Sequence, residues 1–195
     1  MIMKEWETLI EEEYQKEKNT KSDIDEHLHD LLELAGDCTH VTEFGSRFGA
    51  STKAFLKAPV SLRAYDLDIH QPLMDLFKIA KKVGKDVEYE KANTLHILIE
   101  PTDMIFIDTW HSQAQLREEL KLHANAARKY LAFHDTHTYG VRDEQQDWAA
   151  NPNRKAMPDQ GLLPAIIDFV IKNPQWQFKR HKQNCNGLTV LERRK

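Results

Sequence analysis

The chain has 195 residues, 41% of them hydrophobic and 30% charged, which are the proportions of a folded domain with a core and exclude a disordered chain. Its net charge is −4, no apolar run approaches the length of a membrane span, and the N-terminus enters acidic residues without the apolar stretch of a secretory signal. Two cysteines, Cys38 and Cys185, make neither a disulfide framework nor a CxxC site, so a reduced, cytoplasmic setting is the expectation.

The charge is uneven. Residues 1–37 carry twelve acids and four bases, which leaves the remainder at +4, and so mild a surplus argues against a nucleic-acid partner. The same stretch reads as two helices over 4–35, with Trp6, Leu9, Ile10 and Tyr14 on one stripe and Ile24, Leu28, Leu31, Leu32 and Ala35 on the next. Asn19-Thr20-Lys21-Ser22 is the predicted break, Ser22 its N-cap with Asp25 in the capping-box place, and Gly36 the predicted stop. The apolar stripes need a surface to cover them, so residues 1–37 are expected to act as a lid or a homo-oligomer contact beside a main domain over 38–195.

From there strands and helices alternate. Strands are predicted at His40–Phe44, Leu62–Leu67, Val87–Lys91, Met104–Ile107 and Tyr130–Phe133, and helices at Ala50–Lys57, Pro72–Val83, Gln113–Ala127 and Leu162–Lys172. Residues 136–160 are polar and rich in Asn, Asp, Gln and Pro, which predicts a long loop or lid over a pocket. Trp176–His181 and Leu188–Leu191, joined through Asn184-Cys185-Asn186-Gly187, read as a closing hairpin. The alternation implies a parallel α/β sheet with helices on both faces and its ligand site beyond the carboxyl ends of the strands. Those ends carry Glu43 and Gly45, Asp66, Asp108 with His111, and His134 with Asp135.

Glu43-Phe44-Gly45-Ser46-Arg47-Phe48-Gly49-Ala50-Ser51 leaves the first strand and opens a helix, where glycines permit a sharp turn and a helix N-terminus presents free N–H groups. Asp66, ending the next strand, is placed to accept two hydrogen bonds from a ribose diol, or else to cap the following helix with Asp68. On E-x-G-x-x-x-G-x-S, the strand-end acid and the closing antiparallel strand, residues 38–193 resemble a class I S-adenosylmethionine-dependent methyltransferase. The resemblance implies a Rossmann-like methyltransferase fold, with a mostly parallel seven-stranded sheet and an antiparallel C-terminal hairpin strand. It implies that Glu43, Gly45, Ser46, Gly49 and Ser51 line the methionine end of the cofactor, that Asp66 takes the ribose, and that Asn93 approaches the adenine unless it serves as a helix cap.

Asp108-Thr109-Trp110-His111 and His134-Asp135-Thr136-His137 end adjacent parallel strands about 4.8 Å apart, so their acids can converge on one cation. Such a cation would hold a substrate hydroxyl and favour its alkoxide, and His111, three residues past Asp108, could turn back and take the proton. Asp-x-x-His followed by a strand-five acid pair is similar to the cephalosporin-hydroxylase-like and macrolide-sugar O-methyltransferases, in which the acids bind Mg²⁺ and the His is the base. The resemblance implies Asp108 and Asp135 as metal ligands, Asp108 also as a catalytic residue beside the cofactor, and His111 as base. Here His134 replaces an acid as the third candidate ligand, which suits Mn²⁺, Fe²⁺ or Zn²⁺ better than Mg²⁺.

His137 shares that strand end, whereas the remaining histidines read as structural or surface residues. Trp110 reads as pocket lining or packing, and Tyr139, Arg142 and Trp148 as loop residues near a substrate. No Asn/Asp-Pro-Pro-aromatic motif and no Pro-Cys pair is present, which disfavours DNA amine and cytosine C5 methylation. The expectation is an O-methyltransferase for a small molecule or sugar, with or without a divalent metal. The alternatives are a metal-dependent hydrolase or lyase built on the His/Asp cluster, and a non-catalytic cofactor-binding module that recruits a partner through its acidic helices.

Overall fold

The structure, a computed structural model, describes residues 3–144 and 160–194. Seven strands form one sheet in the order β3-β2-β1-β4-β5-β7-β6. They are β1 (His40–Phe44), β2 (Ser61–Asp66), β3 (Val87–Lys91), β4 (Thr102–Ile107), β5 (Ala127–His134), β6 (Trp176–Lys182) and β7 (Leu188–Arg193). The first five are parallel, and β7 runs antiparallel to both β5 and β6. The helices are α1 (Met3–Lys18), α2 (Leu28–Gly36), α3 (Ala50–Lys57), α4 (Gln71–Lys82), α5 (Gln113–His123) and α6 (Leu162–Lys172). Among the described residues no helix is long and apolar enough to cross a membrane.

Side chains alternate across the sheet and feed two cores. Met104 and Phe106 join Val41, Leu62 and Phe55 on the face covered by α1–α4, while Ile105, Ile107, Leu131 and Phe133 join Leu116, Ile166 and Trp176 under α5 and α6. The apolar stripes of α1 and α2 find their cover here: Trp6, Ile10, Tyr14, Leu28, Leu31 and Leu34 are buried in the first core. Their acids meet bases of the main domain. Glu11 pairs with Lys57 at 2.6 Å, Glu13 with Lys53 at 3.2 Å, and the buried Asp30 with Lys182 at 2.6 Å and with Arg180. The lopsided charge of the sequence is thus matched inside the fold. Ile10→Ala is expected to lower the unfolding free energy by about 3 kcal/mol, read from urea melts, because the methylenes lost are buried and leave a cavity. A loss within error of zero would mean that α1 is not part of the cooperative unit.

Several boundaries differ from the sequence reading. Gly36 does not stop α2 through a left-handed cap; it is the last helical residue, and Asp37 follows in a right-handed conformation. The Ser22–Asp25 box forms in both directions, at 3.1 Å each, but it heads a 3₁₀ turn over Asp25–His27 that leads into α2. The predicted α5 is four residues too long. Past His123 the chain tightens into a 3₁₀ turn, and Ala127 is already paired with Thr102 in the sheet, so tertiary pairing overrides the helix propensity of alanine. In the hairpin, Cys185, Asn186 and Gly187 take φ of 42°, 62° and 99°, the left-handed conformations for which Asn-Gly is suited.

Candidate functional site

Two loops meet where β1, β4 and β5 end. The chain turns out of β1 at Gly45, whose φ is 82° and whose missing Cβ would stand 2.0 Å from the Asp108 carbonyl oxygen. Only glycine permits the β1 and β4 ends to approach this closely. Gly49, at φ 87°, opens α3 against Leu73.

The predicted cofactor residues separate by what they touch. Glu43 is fully buried, with Oε1 accepting from the Ser51 hydroxyl at 2.6 Å and Oε2 from the Thr52 hydroxyl at 2.7 Å. Burial pushes its carboxyl up to about 8, against the pull of the two hydroxyls. Glu43 and Ser51 therefore brace the turn from below. Ser46 is also buried, and its hydroxyl has no partner. Asp66 ends β2 and faces the turn: Oδ2 accepts the Arg47 N–H at 2.7 Å and Oδ1 the Asp68 N–H at 3.0 Å. It does not cap α4, which has no side-chain cap. Asn93 does act as a cap, accepting the Leu95 N–H at 2.9 Å at the head of a 3₁₀ turn.

Asp108, His111, His134 and Asp135 of the second constellation are brought together. His111 Nε2 lies 3.1 Å from Asp108 Oδ1 and 2.9 Å from Asp135 Oδ2. His134 Nδ1 lies 3.3 Å and 3.4 Å from the same two oxygens. On its far side, the His134 Nε2–H donates to the Asp23 carbonyl at 3.0 Å and the Cys185 carbonyl at 3.2 Å, which fixes the ring. Asp135 holds φ at 58°, which aspartate tolerates, and its Oδ1 is buried without a partner. Burial alone would lower the His111 imidazole, but hydrogen bonds to Asp108, Asp135 and Glu144 outweigh it and push the group up to about 12. Likewise burial lowers His134, yet the charge and hydrogen bonds of Asp108 and Asp135 carry it up to about 10. Burial raises Asp108 and Asp135, and the two histidines overcome that and hold both carboxyls well below the usual carboxylate range. Both imidazoles are cations in this state, and positive charge is what lets two carboxylates share so small a space.

His137 stays out of the cluster. Its side chain is exposed, and its backbone N–H is used on the hairpin, at the Asn186 carbonyl. Arg142 donates to the Thr138 carbonyl at 3.3 Å, and Trp148 lies outside the described residues. Trp110 lines a small cavity with Leu116, Phe133 and Leu162 beside His111 and His134.

Two contacts escaped the sequence reading. Glu144 Oε2 accepts from His111 Nδ1–H at 3.0 Å, and the two residues are also tied through the Glu144 N–H and the His111 carbonyl at 2.8 Å. The Tyr139 ring stacks flat on the His111 imidazole, 5.0 Å between centroids. Glu144 follows no periodicity and is 33 residues from its partner, so spacing carries no signal for it. Tyr139 had one: the turn that bonds its N–H to the Asp135 carbonyl puts it over the strand end.

With this geometry in place, solved structures similar to it are informative. A Klebsiella pneumoniae protein provisionally called an O-methyltransferase matches with a TM-score of 0.62 and 15% identity, over 97% of this chain and 90% of its own. The O-methyltransferase TomG of Streptomyces achromogenes, involved in tomaymycin synthesis and solved with S-adenosylmethionine, matches at 0.60 and 15%, over 88% and 81%. This chain has the class I methyltransferase fold. The N-methyltransferase NodS of Bradyrhizobium japonicum, solved with S-adenosylhomocysteine, matches at 0.59 and 14%, over 94% and 98%. No protein-family model and no curated protein matches the sequence. Oxygen and nitrogen methyltransferases both stand among these neighbours of the methyltransferase fold, so the fold leaves the acceptor atom open.

Proposed function

We propose that this chain is an S-adenosylmethionine-dependent methyltransferase acting on a hydroxyl of a small molecule or sugar. The observation that carries the reading is the meeting, at the ends of β1, β4 and β5, of a glycine turn with a carboxylate–imidazole cluster. The residues of the turn fit the cofactor. Ser46 offers a buried hydroxyl with no partner, and Asp66 uses two of about four acceptor positions on backbone N–H groups, which leaves the others for a ribose diol. Bound there, S-adenosylmethionine supplies an electrophilic methyl group. Gly45, Ser46 and Gly49 shape the turn beneath its methionine end, with Glu43 and Ser51 as the brace.

The protein's part is positioning. Asp108, His111, His134 and Asp135 stand beside the turn and supply charged hydrogen-bonding groups for the acceptor hydroxyl and its proton. An oxygen acceptor is favoured because the chain lacks the motifs of the DNA amine and cytosine methyltransferases and because the carboxylates of this cluster can accept a hydroxyl's hydrogen bond while its imidazolium groups favour the developing negative charge. A divalent ion at Asp108 and Asp135, with His134 beside them, would lower the cost of the alkoxide.

Calorimetric titration with S-adenosylmethionine tests the reading. Saturable binding is expected, weakened about 10- to 100-fold by Asp66→Ala, as the loss of hydrogen bonds to a charged acceptor implies. No binding by the wild-type chain, with or without divalent metal, would overturn it.

A further inference from the structure

We infer that Arg47 and Asp23 form the subsite for the zwitterionic amino-acid end of the cofactor, Arg47 taking its carboxylate and Asp23 its ammonium group. The inference rests on the S-adenosylmethionine reading above, and it adds to the site a residue from the connector between α1 and α2.

The two ends of Arg47 have partners on opposite sides of the turn. Its backbone N–H donates to Asp66 Oδ2 at 2.7 Å, at the end of β2. Its guanidinium reaches the other way, with Nη1 3.5 Å from Asp23 Oδ2. Asp23 is in turn anchored at the end of β5, because its carbonyl accepts the His134 Nε2–H at 3.0 Å. Since β4 lies between β1 and β5 in the sheet, Arg47 and Asp23 together link the glycine turn to the far side of the Asp108 strand end. With its ribose on Asp66 and its methyl group toward the His/Asp cluster, the cofactor carries its amino-acid end along that same span.

The charges fit such a group. An α-amino acid bears a carboxylate and an ammonium on one carbon, so it needs a cation and an anion side by side. Arg47 is the single charged residue of the turn Gly45–Ala50, and a guanidinium fork matches a carboxylate in two hydrogen bonds. The Asp23 carboxylate is an acceptor for the ammonium. Both side chains are exposed, at 75% and 44%, so their mutual ion pair contributes little and opens at small cost to admit a zwitterion. Arg47 also holds φ at 48°, a left-handed conformation that is uncommon outside glycine and is retained where a site depends on it.

The test is calorimetric titration of the full chain with three probes. They are S-adenosylhomocysteine, its decarboxylated form, and 5′-methylthioadenosine, which lacks the whole amino-acid end. Arg47→Gln should weaken S-adenosylhomocysteine about 10- to 100-fold, as the loss of hydrogen bonds between charged groups implies, and leave the other two unchanged. Asp23→Asn, which keeps the backbone carbonyl on His134, should weaken the first two probes about 10-fold and leave methylthioadenosine unchanged. Methylthioadenosine bound at wild-type strength also shows that both variants fold. S-adenosylhomocysteine affinity unchanged by either substitution, or an equal loss for all three probes, would overturn the inference and leave the cofactor reading standing. A wild-type chain that binds none of the three would overturn the cofactor reading, and the inference with it.

Discussion

Gly45→Ala is expected to cost about 4 kcal/mol of unfolding free energy. Two penalties add. A non-glycine residue held at φ 82° carries roughly 1–3 kcal/mol of backbone strain. The new Cβ would also lie 2.0 Å from the Asp108 carbonyl oxygen and 2.7 Å from its carbon. That neighbour is backbone and cannot rotate aside, so the β1 and β4 ends must part, an overpacking cost of about 1–3 kcal/mol. Gly84→Ala is the control. Gly84 has a comparable φ of 86° but nothing within 4 Å, so it should show only the strain. Urea melts of both variants measure the difference. Equal losses at the two positions would show that the close approach at Gly45 is not under compression.

Glu43→Gln should remove a pH dependence from stability. The folded carboxyl is pushed up to about 8 by burial, from an ordinary value of 4.5. Below about 4.5 both folded and unfolded chains hold this proton, and the stability that goes with the neutral form is fully present. Between about 4.5 and 8 the unfolded chain releases a proton that the folded chain keeps, so stability falls as pH rises, by about 1.4 kcal/mol per pH unit. The whole window is worth about 5 kcal/mol at most. Glutamine keeps the shape and cannot ionise. The advantage of the variant should therefore grow from near zero at pH 4.5 toward that figure at pH 8, measured by urea melts at four pH values. An advantage that does not change with pH would mean that Glu43 is ionised in the folded protein and that Ser51 and Thr52 hold a carboxylate.

Much of the architecture was legible because it is periodic. Strands such as His40–Phe44 and Val87–Lys91, and helices such as Ala50–Lys57 and Leu162–Lys172, have the observed bounds, since apolar spacing marks a buried face whatever lies opposite. The boundary errors fall where a distant partner intervenes. Ala127 leaves the helix for the sheet because Thr102 is there to pair with it. The destination of the α1 and α2 stripes was equally unreadable, because a stripe states only that it needs covering. The cover is α3 and the first core, which no local pattern names.

The candidate site divides in the same way. That Asp66, Asp108, His111, His134 and Asp135 share one edge of the sheet follows from the sequence, because each ends a strand of a parallel alternation and parallel strands end together. What each does there was decided by the tertiary structure. Glu43 became a brace when Ser51 and Thr52 took both its oxygens, and Asn93 a cap when Leu95 bonded it. His137, two residues past Asp135, was carried onto the hairpin side, while Glu144 was folded back onto His111 from a loop without pattern. Periodicity encodes which face of an element is buried, and it therefore places strand ends. The partner of a polar atom depends on directions and distances of an ångström or less, which are set only once every element has packed.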